Sequence, residues 1–286
     1  MCIRDRVFPE FAHAAPTMSL VDLREQLAVE LPGESLTPYI KACRELGCFV
    51  WTGTFLERDP NYPDAVFNTT CLVGPNGLLA KYRKVNPWVP WEVHASPHDI
   101  ADYPDDPFPV VETEIGRLGA AICYDWLFPE TLRELAFKGA EVLVRVSAYM
   151  DPWGATAPMD WWTLFNRARA AENTACVVAC NQGASLAGYP PFSWPGGSMI
   201  VDHDGRIMSQ ADPGEGEKIV VGPVDVAAVR DARSRRRGHD MRSHLRRSVH
   251  GLPPGPGLSP ATEHPITPES LETRLSRAKG ELPDQQ

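Results

Sequence analysis

The chain has 286 residues, 43% hydrophobic and 23% charged, enough apolar material for an ordinary core and far from the composition of a disordered or collagen-like chain. Its 28 Lys and Arg against 37 Asp and Glu leave a net charge of −9, a poor match for nucleic acid or another polyanion. No run approaches the roughly 18 apolar residues of a membrane span, and the first six residues lack an apolar signal core, so a cytoplasmic protein with no membrane partner is expected.

Residues 1–6 are unpatterned, and a folded domain is expected over 7–250. In chain order, Ser19 to Leu31 reads as a helix, with Leu20, Leu23, Leu27 and Leu31 at helical spacing, and Gly33 to Gly47 as another. Short apolar or β-branched runs follow at Cys48 to Phe55, Val66 to Val73 and Leu78 to Lys84. The Asn76-Gly77 pair between the last two predicts a tight hairpin. A Trp- and Pro-rich connection from Val85 to Pro107 is long enough to suggest a functional loop. Beyond it come strand Leu118 to Cys123, helix Pro129 to Lys138, strand Glu141 to Ser147, helix Met159 to Asn173 and strand Ala175 to Asn181. A hairpin over Met199 to Ser209 and a strand over Lys218 to Val224 complete the alternation, which predicts a layered α/β fold with mixed sheets. From Gly251 to Gln286 the composition turns Pro- and Gly-rich, a tail with a short helix expected over Pro268 to Lys279.

Seven cysteines, an odd number with no C-x-x-C pair, predict free thiols, most of them packed in apolar runs. Cys123 differs, because it stands where an apolar strand gives way to a polar loop that leads into a helix. A thiol there is nucleophilic if a base or a cation lies beside it, and the turn's N–H groups can hold an oxyanion; on the strand alone, a buried structural cysteine is the favoured alternative. At the end of another strand, Tyr82 and Lys84 share one face and Lys81 and Arg83 the other. One basic face is expected in solvent, and a lysine turned inward needs a carboxylate. Glu10, within Val7-Phe-Pro-Glu-Phe11, and Glu92, at the end of the Trp-rich loop, are the carboxylates set in apolar surroundings; a structural salt bridge is the alternative for each.

Taken together, Phe8-Pro-Glu10, Tyr82-Arg-Lys84 with Asn86-Pro-Trp-Val-Pro-Trp-Glu92, and Ile122-Cys-Tyr-Asp125 with Phe128-Pro-Glu130 resemble the nitrilase superfamily of carbon–nitrogen hydrolases, most closely its aliphatic amidase and formamidase branches. Lys138-Gly-Ala-Glu-Val-Leu-Val-Arg145, Asn166-Arg167 and Glu172-Asn173 support the match. The resemblance implies a four-layer αββα sandwich, assembled into homo-oligomers through outer helices. It also implies a Glu-Lys-Cys triad, with Glu10 as general base, Lys84 as the cation for the tetrahedral intermediate, Cys123 as nucleophile and Glu92 as a second, positioning glutamate. The Tyr124 backbone N–H would complete the oxyanion site, and Trp88, Trp91, Trp126 and Trp153 are candidates for a substrate wall, with core or loop packing the alternative. The implied partner is a small amide, with nitriles and N-carbamoyl compounds as alternatives, and no metal or organic cofactor is implied. Family members begin with a strand and a helix ahead of Phe8-Pro-Glu10, so both are expected to be missing here, and an inactive interaction protein of the same fold is the second reading.

Other chemistries fit less well. The eight arginines between Arg230 and Arg247 form no nucleic-acid motif. His94 and His98 are separated by Pro97, which opposes a metal-binding helix, and Gly196-Gly-Ser198 is no serine elbow.

Overall fold

The computed structural model of the chain describes residues 5–13, 22–88, 92–150, 154–183, 194–214, 216–235, 240–242, 244–245 and 276. Two sheets organise them. The first holds, in spatial order, β1 (Arg6–Val7), β2 (Val50–Asp59), β3 (Tyr62–Gly74) and β4 (Gly77–Arg83), with β1 parallel to β2 and the rest antiparallel. The second runs from β5 (Val110–Thr113) through β6 (Gly116–Ile122), β7 (Val142–Ser147), β8 (Cys176–Asn181) and β9 (Met199–Val201) to β10 (Ile207–Gln210). Its centre, β6 to β8, is parallel, and its flanking pairs are antiparallel. The helices are α1 (Thr37–Leu46), α2 (Pro129–Phe137), α3 (Trp161–Asn173) and α4 (Val226–Arg235).

The period of two along each strand sorts side chains into layers. Trp51 and Leu72 of the first sheet meet Leu118, Ala120, Val142, Val144 and Val146 of the second. On the other side of the first sheet, Val50, Cys71 and Val73 pack with Leu36 and with Cys43 of α1. Beyond the second, Ala121, Leu143, Val177 and Ala179 lie under Leu132 and Leu135 of α2 and Trp162 and Ala170 of α3. Leu132 and Leu135 are fully buried, each worth about 1.5–3 kcal/mol of apolar transfer. The order helix, sheet, sheet, helix is the expected four-layer sandwich.

Local signals placed most elements within a few residues of their bounds. Gly47, at φ 59, ends α1 in the left-handed conformation, and the Cys48 N–H reaches back to the Cys43 carbonyl at 3.2 Å, as in a Schellman cap. Pro129 opens α2, and Gly74 pairs with Gly77 across the predicted hairpin.

Three expectations change. In place of a helix over Ser19 to Leu31, the described residues hold one π-type turn, Leu23–Leu27. Val29 instead accepts from Arg58 N–H and donates to the Leu56 carbonyl, so the open edge of β2 draws these residues into extended backbone. Lys218 to Val224 forms no strand; Ile219 and Val221 alternate but are 88% and 79% exposed, without the buried face that gives alternation its meaning. The arginine-rich stretch opens as α4, its first turn capped by Asp225 Oδ1 on Ala228 N–H at 2.9 Å. Neither face of β4 is solvated by its basic residues: Arg83 is 3% exposed and pairs with Glu57 at 2.8 Å and Asp59 at 2.5 Å, and Lys81 joins Glu57 at 2.5 Å. Carboxylates of β2, reached across the intervening β3, make that burial tolerable. The tail from Gly251 onward, Ser276 apart, lies outside the described residues. No described helix is long and apolar enough to cross a membrane.

Candidate active site

The chain segment after β1 bridges the two sheets. Glu10 N–H donates to the Ser147 carbonyl at 3.3 Å, and Gln182 Nε2 donates to the Glu10 carbonyl at 2.8 Å, tying the segment to the ends of β7 and β8. Below it β2 carries Gly53, where an added Cβ would stand 2.4 Å from the Pro9 carbonyl oxygen and 2.7 Å from Ala12 Cβ. Phe11, at φ 56, turns the chain in the left-handed region and donates its N–H to Thr54 Oγ1 at 2.9 Å. Gly53→Ala is therefore expected to displace the Glu10 carboxylate. A misplacement near 1 Å costs roughly 10²-fold in turnover and overpacking about 1–3 kcal/mol, to be checked by kcat/KM and thermal unfolding.

Glu10 is 1% exposed. Its Oε1 accepts from Lys84 Nζ and from Asn68 Nδ2, both at 2.8 Å, and its Oε2 from Ala148 N–H at 2.9 Å. Lys84 follows β4, 1% exposed, and its ammonium also donates to Glu92 Oε1 at 2.7 Å. Glu92 Oε2 in turn accepts from Trp88 N–H at 2.5 Å. One ammonium thus lies between two carboxylates, and their proton affinities diverge. Burial raises that of Glu10, with Lys84 opposing only in part. Burial acts on Glu92 in the same sense, but Lys84 and His94 more than offset it and hold the carboxyl below its usual range. Lys84 is held well above the usual lysine range by the two glutamates, against its burial. Two carboxyls pushed apart in this way suit different tasks, one exchanging protons and one staying charged.

Cys123 lies where β6 ends. At φ 45 it occupies the left-handed region that a non-glycine residue rarely adopts, and it opens the tight turn Cys123–Leu127. Its thiol is buried where the charges of Glu10 and Lys84 both act on it. Burial pushes the thiol up to about 12, and the Glu10 charge adds to that, while Lys84 pulls it back. Tyr124 is the second residue of the turn, so its N–H has no carbonyl within the turn to bond.

Asp125 holds the two halves together. Fully buried, it accepts from Ile122 N–H at 3.0 Å, from Tyr82 Oη at 2.8 Å, and from the N–H and Nδ2 of Asn86 at 2.8 and 3.0 Å. The turn bearing Cys123 is thereby fixed against the strand end bearing Lys84. Burial raises the Asp125 carboxyl, with Lys84 and these donors drawing it back. Sequence reasoning quoted Asp125 within a motif without giving it a task; Asn68, Ser147 and Tyr149 it missed, because nothing local marks a polar residue within or just past an apolar strand as facing a site. Tyr149 is buried, and its phenol is pushed up to about 12 by burial, with Arg145 opposing and the Cys123 charge adding to the rise.

Of the tryptophans, Trp88 packs with Phe11, Ala148, Met150 and Trp194 beside Glu10. Trp126 does not line a cavity: it is fully buried in the core under α2 and α3 and donates its indole N–H to the Ala121 carbonyl at 3.2 Å. The turn after Cys123 directs it inward, so the packing alternative describes it. Trp91 and Trp153 lie outside the described residues. His94 is buried and held down to about 4 by desolvation. Of the eight arginines, Arg230 pairs with Glu141, Arg233 donates to the Thr174 and Ala140 carbonyls, Arg235 pairs with Asp231 and Arg242 with Asp240. Arg236, Arg237, Arg246 and Arg247 lie outside the described residues.

The sequence profile of a family described as carbon-nitrogen hydrolase matches residues 6–234. A formamidase of Bradyrhizobium diazoefficiens is 32% identical over 239 residues, 79% of this chain and 62% of that protein. A formamidase of Bacillus thuringiensis is 34% identical over 209 residues, 71% and 57% of the two chains. The chain thus spans about 60% of the length of these relatives. Among solved structures, Saccharomyces cerevisiae Nit3, of branch 10 of the nitrilase superfamily, superposes with a TM-score of 0.65 at 26% identity, over 80% of this chain and 79% of that one. The amidase from Nesterenkonia sp. AN1, in a mutant with the acetamide moiety of fluoroacetamide added covalently at its active site cysteine, shares the fold at a TM-score of 0.65 and 21% identity, over 86% and 82%. With the profile matched over residues 6–234 and relatives above 30% identical, the chain belongs to the carbon–nitrogen hydrolase family.

Proposed function

We propose that the chain hydrolyses the carbon–nitrogen bond of a small amide to a carboxylic acid and ammonia, through a thioester on Cys123. The observation that carries this reading is the meeting of the Glu10 carboxylate, the Lys84 ammonium and the Cys123 thiol in one desolvated place, with Glu92 behind the ammonium. Glu10 takes the thiol proton, and the sulfur attacks the amide carbon. Lys84 Nζ and the Tyr124 backbone N–H receive the oxyanion. When the intermediate collapses, Glu10 returns the proton to the departing nitrogen and ammonia leaves. Glu10 then accepts a proton from water, whose oxygen attacks the thioester. The second collapse releases the acid and the thiolate, which recovers its proton from Glu10.

The formamidase relatives favour a short acyl chain, and the Phe11, Ala148 and Trp88 surfaces are apolar and close to Glu10. Ammonia release from formamide, acetamide and propionamide, measured beside a short nitrile and an N-carbamoyl compound, tests the choice. Turnover of the nitrile alone would replace the amide assignment. Glu10→Gln is expected to slow the acylation step roughly 10²–10⁴-fold. In the unsubstituted protein, kcat/KM should lose activity on the acid side at a pH above the ordinary glutamate range, since burial raises Glu10 and the protonated carboxyl cannot accept the thiol proton. The Gln variant should lack that limb; an unaltered pH profile would remove Glu10 from the role of base.

A further inference from the structure

Arg145 is a buried cation with no anion bonded to it among the described residues. It stands in β7 on the face covered by α2 and α3, fully buried. Its guanidinium carbon lies 4.3 Å from the Trp162 ring centroid and 5.3 Å from those of Trp126 and Tyr149. Nη1 donates to the neutral Asn166 Oδ1 at 3.0 Å, while Nε and Nη2 have no partner among the described residues. Aromatic faces attract a cation but replace its water poorly, and a well-packed apolar side chain at such a position is often as stable or more so. Stability alone therefore gives no account of the charge.

Its location does. Ala121 pairs with Arg145 and Ile122 with Val146, so Cys123 comes one step later, beside Ser147, which shares the face of Arg145. Cys123 also packs against the cluster that contains Trp126, Tyr149 and Trp162, the three rings around the guanidinium. Glu10 and Glu92 share the ammonium of Lys84, and Asp125 of the Cys123 turn adds a third carboxyl. Arg169 of α3 is turned to the Trp126 and Leu127 carbonyls and to Glu172. A thiolate and then an oxyanion add negative charge to surroundings in which one ammonium already serves two glutamates.

We infer that Arg145 is a positioning residue of the proposed site, its caged guanidinium acting through β7 to offset the negative charge that develops on Cys123. The inference rests on the reading of Cys123 as nucleophile. Burial brings the guanidinium down to about 10, so it remains charged at neutral pH, and Arg145 is among the groups that draw the thiol back from the rise burial imposes.

The test is the rate of Cys123 alkylation by iodoacetamide against pH, read by peptide mass spectrometry, in the unsubstituted protein, Arg145→Met, Arg145→Lys and Asn166→Asp. Methionine fills the cage without charge. Asn166→Asp leaves the guanidinium in place and pairs it with a carboxylate where the Asn166 Nδ2 had no partner among the described residues. Arg145→Met and Asn166→Asp are each expected to slow alkylation at pH 7 about tenfold and to move the rate curve about one pH unit upward, with Arg145→Lys closer to the unsubstituted protein. Folded variants whose curves superimpose on it would overturn the inference, and so would a Cys123 that resists alkylation at neutral pH without any substitution. If Arg145→Met fails to fold, Asn166→Asp decides. Alkylation requires no substrate, so a shifted curve in a protein that hydrolyses no amide would retain this inference and defeat the proposed function.

Discussion

Cys123→Ala is expected to reduce ammonia release roughly 10⁴-fold or more, because the step that makes the thioester loses its nucleophile and the remaining groups contribute binding alone. Mass spectrometry should find an acyl adduct on the unsubstituted chain during turnover and none on the variant. Activity surviving at more than about one part in 10³ would defeat the covalent mechanism. A stability measurement separates the thiol's chemistry from its backbone. Cys123 holds a φ of 45, a conformation that costs an L-residue about 1–2 kcal/mol, so Cys123→Gly should be inactive yet more stable than Cys123→Ala by about 1 kcal/mol. Equal melting temperatures for the two variants would mean that the turn relaxes and that the left-handed conformation is not imposed by the fold.

Lys84→Met is the second large effect, and it reaches both stability and activity. Removing the ammonium leaves Glu10 and Glu92 facing each other in a buried place, with Asn68 Nδ2 and the Ala148 and Trp88 N–H groups as their remaining donors. Loss of one partner from such a buried arrangement costs about 3–5 kcal/mol. The two carboxyls then take up protons at a higher pH than in the unfolded chain. The sign follows: a carboxyl raised in the folded state contributes stability that is present at low pH and lost as pH rises through its folded value. Lys84→Met should therefore be least destabilised in mild acid and most destabilised above neutrality. Urea unfolding at several pH values checks the slope, and a deficit independent of pH would argue against two charged carboxylates on one ammonium. Turnover should be lost at every pH, since the oxyanion loses its cation.

The residues of the candidate site were singled out from sequence because chemistry restricts where they can stand, and their roles were supplied by the resemblance of the motifs that carry them. A glutamate, a lysine and a cysteine set in apolar runs at strand ends are costly unless paired, and the structure pairs Glu10, Lys84 and Glu92 and brings Cys123 to them. Strands, hairpins and helix ends were legible for a related reason: alternation, Asn76-Gly77, Gly47 and Pro129 act through neighbouring backbone alone. The expectation failed where partners distant in sequence decided. The leucine spacing around Leu23 and Leu27 is helical, yet Val29 is drawn to β2 by unpaired backbone groups. Lys218 to Val224 alternates like a strand and pairs with no neighbour. One basic face of β4 was expected in solvent, but Arg83 is buried against Glu57 and Asp59.

Side-chain type and position in apolar runs were thus enough to single out Glu10, Lys84, Glu92 and Cys123, while the roles of nucleophile, base and cation came from the resemblance of the ordered motifs to a family. Folding alone could assign the tasks that depend on facing another segment: Asp125 joining the Cys123 turn to Tyr82 and Asn86, Trp126 turned into the core, and Arg145 caged behind the thiol. Burial and electrostatic environment belong to a place rather than to a residue, and that place is assembled from strands far apart along the chain.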